Sequence, residues 1–174
     1  MKNKVLKQLK KLAKKSSNMR LAAENWDKDW KTLIVTILSA RTRDEKTIPT
    51  ANKLFKKYNT LEKLIKAKFK DIKKIIKQIN FYKTKSKNVL SCAKTILNKY
   101  HGKVPMNFDN LLELPGVGRK TANVFLSEYG HDTIGIDTHV SYISRKLNWT
   151  KHEKPEKIEK DLKKLFPRGY WKKI

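Results

Sequence analysis

Lys120 stands where a protein could use an amine as a nucleophile. It falls in the first turn of a predicted helix that begins at Arg119, directly after the turn LPGVG. A helix N-terminus disfavours a cation, and apolar Val124 four residues later indicates that the lysine stem lies near a buried stripe. Both effects favour the neutral amine, which is the nucleophilic form. A solvated surface charge is the competing interpretation in so basic a chain.

Asp137 is a carboxylate with two possible uses. The sequence Asp-Thr-His-Val precedes a predicted helix that carries Val140 and Ile143 in its apolar stripe. Asp is a preferred N-cap residue, so capping is the first interpretation of Asp137. A cap needs one carboxylate oxygen, which leaves the other for chemistry. His139 is interpreted as a surface or packing residue of the same helix, with phosphate contact as the weaker alternative.

The turn before Lys120 could bind a phosphate. Gly116 and Gly118 permit backbone conformations and close approaches that a Cβ would forbid. The helix start at Arg119 offers unpaired N–H groups and the positive end of a helix dipole. Leu114 and Val117 would anchor this hairpin in the core while its N–H groups face outward. For Pro-Gly-Val-Gly alone, an ordinary corner between two helices is an equal alternative.

The elements that must position these residues are helices. Apolar residues recur at helical spacing along nearly the whole chain, which predicts an all-α fold. The one candidate strand, residues 133–136, is too short to be more than a connector. Pro155 falls in the first-turn position that a helix start tolerates. Short loops between the stripes favour antiparallel helix neighbours.

Composition favours a polyanion as the partner. The 174 residues include 42 Lys plus Arg against 16 Asp plus Glu, which gives a formal net charge of +26 at pH 7. Such a field suits nucleic acid and offers nothing to a neutral metabolite. A hydrophobic content of 39% argues against disorder. Because the apolar stretches are too short for a bilayer and the N-terminus does not resemble a secretory signal, a cytoplasmic protein without membrane contact is expected.

Cysteine usage predicts no metal and no cofactor. The single cysteine, Cys92, cannot form an internal disulfide, a four-cysteine zinc site or a cysteine-held iron–sulfur cluster. It lies on an apolar stripe and is most simply a small core residue. His101, His131 and His152 show no metal-ligand spacing with one another or with Cys92.

Two strings resemble a known family. LPGVGRKTANVFL and TIGIDTHVSYISRKL resemble the helix–hairpin–helix and the Gly/Pro-rich, Asp-terminated loop of the endonuclease III family of DNA glycosylases. Upstream, TLIVTILSARTRDEKT resembles that family's LSAQATD-type helix, and INFYKTKSKNV resembles its GLYNSKAENI-type turn. The resemblance implies two helical lobes with DNA and a flipped base in the cleft between them. A six-helix barrel would span residues 22–132, and residues 1–21 and 133–174 would form the second lobe.

The resemblance also implies roles for individual residues. In this family the lysine that ends the hairpin string attacks C1′ of the deoxyribose, and a Schiff base and β-elimination follow; Lys120 matches it. The aspartate matching Asp137 assists departure of the base and activates the lysine or a water. Residues that would contact DNA are Arg41, Phe81, Leu114, Gly116, Val117, Gly118, Arg119 and His139.

By the same resemblance, Arg41 and Phe81 would fill the gap that an extruded nucleotide leaves. Arg41 follows the end of an apolar stripe, and Phe81 lies in a turn, where an exposed aromatic could wedge between bases. The alternative is that Phe81 packs inward and Arg41 pairs with Asp44 or Glu45. Three lysines after Phe81 would contact phosphates: Lys83, Lys85 and Lys87.

The chain departs from the family in three places. Many relatives hold a [4Fe–4S] cluster with four cysteines near the C-terminus, whereas this sequence has none there, so it is expected to be a truncated chain or a cluster-free member. Arg41 stands where the family often has Gln. Asn80 stands where it often has Gly, and Asn tolerates a left-handed backbone.

The predicted function is that of a base-excision-repair DNA glycosylase with AP (apurinic/apyrimidinic) lyase activity. It would act as a monomer on duplex DNA with a damaged or abasic site and remove damaged, chiefly oxidised, pyrimidines. One alternative is a mismatch thymine or uracil glycosylase, although Lys120 favours the bifunctional form. An alternative of another class is a non-catalytic helix–hairpin–helix module or a basic RNA-associated protein.

The charge predicts steeply salt-dependent binding to duplex DNA. Each phosphate that the protein neutralises should contribute a slope of about −0.9 to log K against log salt. Fluorescence anisotropy titrations at several KCl concentrations measure this slope. A flat response would show that the surplus lysines do not face DNA.

Overall fold

The computed structural model describes residues 2–16 and 21–174, and these residues form helices joined by short turns. The helices are α1 (Lys2–Ser16), α2 (Asp29–Ser39), α3 (Asp44–Lys57), α4 (Leu61–Ile65), α5 (Phe69–Ile75), α6 (Tyr82–Tyr100), α7 (Phe108–Leu112), α8 (Arg119–Glu128), α9 (Thr138–Lys146) and α10 (Pro155–Leu165). A 3₁₀ helix, η1 (Arg168–Lys173), follows. Within the described ranges there is no strand, and residues 133–136 are an irregular connector. The all-α prediction is confirmed.

The chain divides into two compact units. The larger unit is Arg20–Phe125, and the smaller unit combines Met1–Met19 with Leu126–Ile174. The predicted lobes were residues 22–132 and residues 1–21 with 133–174, so the second lobe was also expected to combine both ends of the chain. The predicted boundary at residue 132 lies after α8, whereas the boundary between the two units lies within α8. Residues 1 and 17–20, which the prediction assigned to the second lobe, lie outside the described residues.

α2 forms the centre of the larger unit because it is apolar on nearly every side. Leu33, Ile34 and Val35 are fully buried although they point in different directions around the helix. A helix that is hydrophobic all round belongs inside a protein, and α2 packs against α3 and α6. The buried hydroxyl of Thr36 donates to the Thr32 carbonyl at 2.7 Å, so its polar group is satisfied within the helix.

α6 is the longest helix among the described residues and organises the rest of the larger unit. It packs against α2, α4 and α5 through a buried stripe. The stripe includes Val89, Cys92 and Ile96, at the helical spacing that the sequence predicted.

The smaller unit has its own apolar core. Val5 and Leu9 of α1 belong to one buried cluster with Ile158 and Leu162 of α10. Trp149, in the loop before α10, belongs to the same cluster. The Trp149 indole N–H donates to the Gln8 side chain at 2.9 Å, and its ring meets that of Phe166 edge to face, with centroids 4.9 Å apart. α10 begins at Pro155, as predicted. In neither described stretch is any helix long and apolar enough to cross a membrane.

Candidate active site

The hairpin between α7 and α8 is anchored as the sequence predicted. Leu114 is 2% exposed and Val117 is 7% exposed, so both side chains lie in the core. The Leu114 N–H donates to the Leu111 carbonyl at 3.1 Å, and the Val117 N–H donates to the Leu114 carbonyl at 3.0 Å. The expectation that the hairpin N–H groups face outward is therefore wrong for these two residues. Both residues are core anchors, and the DNA contact predicted for them stays a prediction.

The two glycines of the hairpin meet different constraints. Gly116 has φ +84°, and a Cβ there would lie 2.8 Å from the Cβ of Asn88 on α6. Gly118 is exposed, lies outside the left-handed region, and has open space where a Cβ would stand. The group that lies close to Gly116 is thus Asn88 of the protein itself, whereas the space beside Gly118 is open to a ligand.

Lys120 is the second residue of α8 and is half-buried, and its charge acts on Asp44 at the start of α3. Burial raises the pKa of the Asp44 carboxyl above its ordinary value. This effect outweighs the hydrogen bond from the Ala22 N–H, at 3.1 Å, and the charge of Lys120, which both lower that pKa. Sequence reasoning missed this pairing because only the fold brings residues 44 and 120 together.

Arg119 connects the two arms of the hairpin. Its guanidinium carbon lies 4.9 Å from the centroid of the Phe108 ring, which is the first residue of α7. A cation over an aromatic face is attracted by the ring quadrupole. Arg119 is therefore half-buried against α7, and its predicted DNA contact remains a prediction.

Asp137 caps α9. One of its oxygens, Oδ1, accepts the backbone N–H groups of His139 at 2.9 Å and Val140 at 2.8 Å. The capping interpretation is confirmed, and a catalytic use of the carboxylate stays a prediction. His139 is exposed in the first turn of α9. Both residues belong to the smaller unit, whereas Lys120 belongs to the larger one.

Arg41 and Phe81 are exposed and lie together. The Arg41 guanidinium carbon is 4.9 Å from the centroid of the Phe81 ring, and Phe81 is 56% exposed. The alternative in which Phe81 packs inward is therefore wrong. The contact that the structure gives for the Arg41 guanidinium is with the Phe81 ring, while Asp44 accepts the Ala22 N–H. The left-handed residue of the turn is Phe81, with φ 58°, and not Asn80.

The three lysines after Phe81 do not share one environment. Lys83 and Lys87 are exposed, as a phosphate contact requires. Lys85 is only 6% exposed, so its predicted contact with phosphate is wrong.

The described residues do not fit an iron–sulfur cluster. A [4Fe–4S] cluster held by cysteines needs four thiolates, and the sequence contains one cysteine. Burial raises the pKa of the Cys92 thiol to about 12, so it is protonated at neutral pH. Across the two described stretches, no group of His, Cys, Asp and Glu side chains is placed to hold a metal ion.

Comparison with known proteins defines the family. The family model described as HhH-GPD superfamily base excision DNA repair protein matches residues 34–168. The chain therefore belongs to the HhH-GPD superfamily of base excision DNA repair proteins, and the resemblance carried by LPGVGRKTANVFL is confirmed.

Relatives within the family include endonuclease III. The endonuclease III of Thermotoga maritima is 43% identical over 143 residues, which are 82% of this chain and 67% of the relative. The chain spans about two thirds of the length of the curated relatives that it matches.

Solved structures share the fold. A trapped endonuclease III–DNA covalent intermediate, an estranged-adenine complex, superposes with a TM-score of 0.89 and 31% identity, over 99% of this chain and 81% of that one. A thermostable thymine-DNA glycosylase has a TM-score of 0.82 at 22% identity, over 99% of this chain and 82% of that one, which shows a shared fold alone. The family match and the endonuclease III comparisons favour the glycosylase and AP lyase interpretation over the two alternatives.

The two hairpin glycines should respond differently to alanine. Gly116→Ala should destabilise the fold by at least roughly 1–2 kcal/mol, because the left-handed backbone and the Asn88 side chain both oppose a Cβ. Gly118→Ala should change the free energy of unfolding by less than about 1 kcal/mol and yet weaken binding to duplex DNA, because its Cβ occupies the space open to a phosphate. Urea unfolding and anisotropy titration measure the two effects. Wild-type affinity in the stable Gly118→Ala variant would contradict phosphate binding at this turn.

Proposed function

We propose that this chain is a DNA glycosylase with AP lyase activity that acts on duplex DNA. The observation that carries the proposal is the position of Lys120, an amine in the first turn of α8 immediately after the anchored hairpin. The comparison with an endonuclease III trapped covalently on DNA supports it, since a covalent intermediate requires a nucleophile.

Lys120 would carry the reaction through a Schiff base. The neutral amine forms a bond to C1′ of the deoxyribose while the bond from C1′ to the base breaks, and the base leaves with that electron pair. Opening of the sugar ring gives the protonated imine. Loss of a proton from C2′ then expels the 3′ phosphate by β-elimination and cuts the strand. The half-buried position of Lys120 in the first turn of α8 supports this role because the anchored hairpin fixes where the amine lies.

Asp137 would assist the departure of the base. Its charge would stabilise the positive charge that develops on the sugar, and it would accept a proton from the attacking amine or a water. The cap bonds to His139 and Val140 hold the carboxylate in one orientation, which supports a role that depends on direction.

Arg41 and Phe81 would hold the DNA open. Extrusion of a nucleotide costs a few kcal/mol of stacking and pairing. An exposed aromatic ring can restore stacking, and a guanidinium can hydrogen-bond the orphaned base. The contact between the two side chains supports their acting at one point of the duplex.

The proposed substrates are damaged, chiefly oxidised, pyrimidines and abasic sites in double-stranded DNA, bound by a monomer. The charge of +26 supports a polyanionic partner. Incubation with duplexes that each carry one oxidised, deaminated or mismatched base, followed by strand-cleavage analysis, identifies the preferred lesion.

Lys120→Gln should abolish covalent trapping on an abasic-site duplex by borohydride, because the imine can no longer form. Duplex affinity should stay close to wild type, since one partly buried amine is removed from a chain with 42 basic residues. The matched control is Lys157→Gln, which alters an exposed lysine of α10 and should trap normally. Trapping at the wild-type level in Lys120→Gln would assign the nucleophile to another amine, and no trapping in the wild type would favour the binding-module alternative.

Asp137→Asn should separate capping from chemistry. Because Asn is also a good N-cap, the free energy of unfolding should change by about 1 kcal/mol or less. Single-turnover excision should slow by orders of magnitude, because the charge opposite the developing cation is lost. Asp137→Ala is the comparison that loses both functions. Excision at the wild-type rate in Asp137→Asn would return Asp137 to capping alone.

A further inference from the structure

Side chains tie together the two turns that carry Arg41 and Phe81. The Asn80 backbone N–H donates to the Thr42 hydroxyl at 3.1 Å, and the Asn80 side-chain amide donates to the Arg41 carbonyl. The turn after α2 and the turn before α6 are therefore joined although they lie about 40 residues apart in sequence.

Lys85 lies beneath this junction. Its ammonium donates to the Leu38 carbonyl at 2.7 Å, to the Ala40 carbonyl, and to the Thr42 hydroxyl at 3.3 Å. These carbonyls lie at the end of α2, where helical hydrogen bonding runs out and the helix dipole favours a cation. Three N–H donors thus meet three oxygen atoms, and one of those oxygens also receives the Asn80 N–H.

Burial lowers the pKa of Lys85 to about 8, so the ammonium form still predominates at pH 7. A lysine with a lowered pKa could be mistaken for the nucleophile of an imine-forming enzyme. The geometry argues otherwise, because Lys85 is 6% exposed and its amine is held by oxygen atoms of the α2 end. Lys120 therefore remains the proposed nucleophile, and Lys85 has a different task.

The backbone at both turns needs such support. Arg41 has φ 57° and Phe81 has φ 58°, in the left-handed region that non-glycine residues rarely occupy. Strained conformations of this kind persist only where the surrounding structure fixes them. The side-chain bonds from Lys85 and the bonds from Asn80 fix the segment from Leu38 to Thr42. In the turn that carries Phe81, the Lys85 backbone N–H donates to the Phe81 carbonyl at 3.0 Å.

We infer that Lys85 is a positioning residue that locks the Arg41 turn against the Phe81 turn, so that the two exposed side chains enter the DNA as one wedge. The inference rests on the proposed function in that DNA is the ligand of this surface. Lys85 itself touches no substrate. It acts through the carbonyls and the hydroxyl that it holds, and its loss should free the two side chains to move independently.

The test measures insertion into DNA separately from catalysis. A duplex with an uncleavable abasic analogue opposite 2-aminopurine reports unstacking of the orphaned base by fluorescence. With saturating wild-type protein the fluorescence should change, and Arg41→Ala and Phe81→Ala should abolish the change. Lys85→Met and Asn80→Ala should lose most of it. Lys94→Met, which removes an exposed charge from the same helix, should keep it.

A second measurement compares two cleavage rates for each variant. Single-turnover excision from a thymine glycol duplex should slow by up to about 100-fold in Lys85→Met, because misplaced groups lose catalytic efficiency. Nicking of a preformed abasic site should stay near the wild-type rate. A variant that is merely less folded would lose both rates in the same proportion.

Each result bears on one proposal. A wild-type fluorescence change in folded Lys85→Met, or an equal loss in Lys94→Met, would overturn the role of Lys85. If Lys85→Met unfolds, Asn80→Ala decides, since Asn80 is exposed and its removal leaves the core intact; an unchanged signal there would overturn the coupling of the turns. Failure of the wild type to nick an abasic site would instead refute the proposed function, while the fluorescence would still test Lys85.

Discussion

The arrangement of the larger unit depends on the close approach of the hairpin to α6 at Gly116. A side chain there would collide with Asn88, so the turn can lie against α6 only with glycine at this position. Leu114 and Val117 fix the same turn from within the core, and the first turn of α8 follows at once. The site of Lys120 is therefore set by α6 and not by α8 alone. One turn of α6 earlier, Lys85 holds the Arg41 segment, so a single helix positions both the candidate nucleophile and the candidate wedge.

Charge has two separate uses in this molecule. The net charge of +26 provides a field that attracts a polyanion at long range, and almost any exposed lysine can contribute to it. Lys120 and Lys85 are different because each is removed in part from water: Lys120 is half-buried at the start of α8, and the ammonium of Lys85 donates to carbonyls at the end of α2. Burial, and not basicity, distinguishes these two lysines from the solvated majority.

The features that sequence reasoning predicted depend on local patterns. Helical periodicity predicted the helices, Asp137 predicted the N-cap of α9, and Pro155 predicted the start of α10. Each of these signals lies within a few residues of the feature that it predicts. The features that it missed depend on distant residues. Lys85 is flanked by exposed lysines and looks like them, and only the end of α2 explains its burial. The influence of Lys120 on Asp44 likewise joins segments that no local pattern connects.

Asp137 shows how a structural role can prepare a chemical one. Asn, Ser or Thr would also satisfy the first N–H groups of α9, and the charge of Asp adds a favourable interaction with the positive end of the helix dipole. The two bonds to Oδ1 nevertheless do more than stabilise the helix, because they restrict the rotation of the carboxylate and so fix the direction of its charge. A stabilising charge is effective only when it is already oriented before the cation develops. The cap therefore supplies the orientation that catalysis would need, and the aspartate supplies a charge that Asn, Ser or Thr would not.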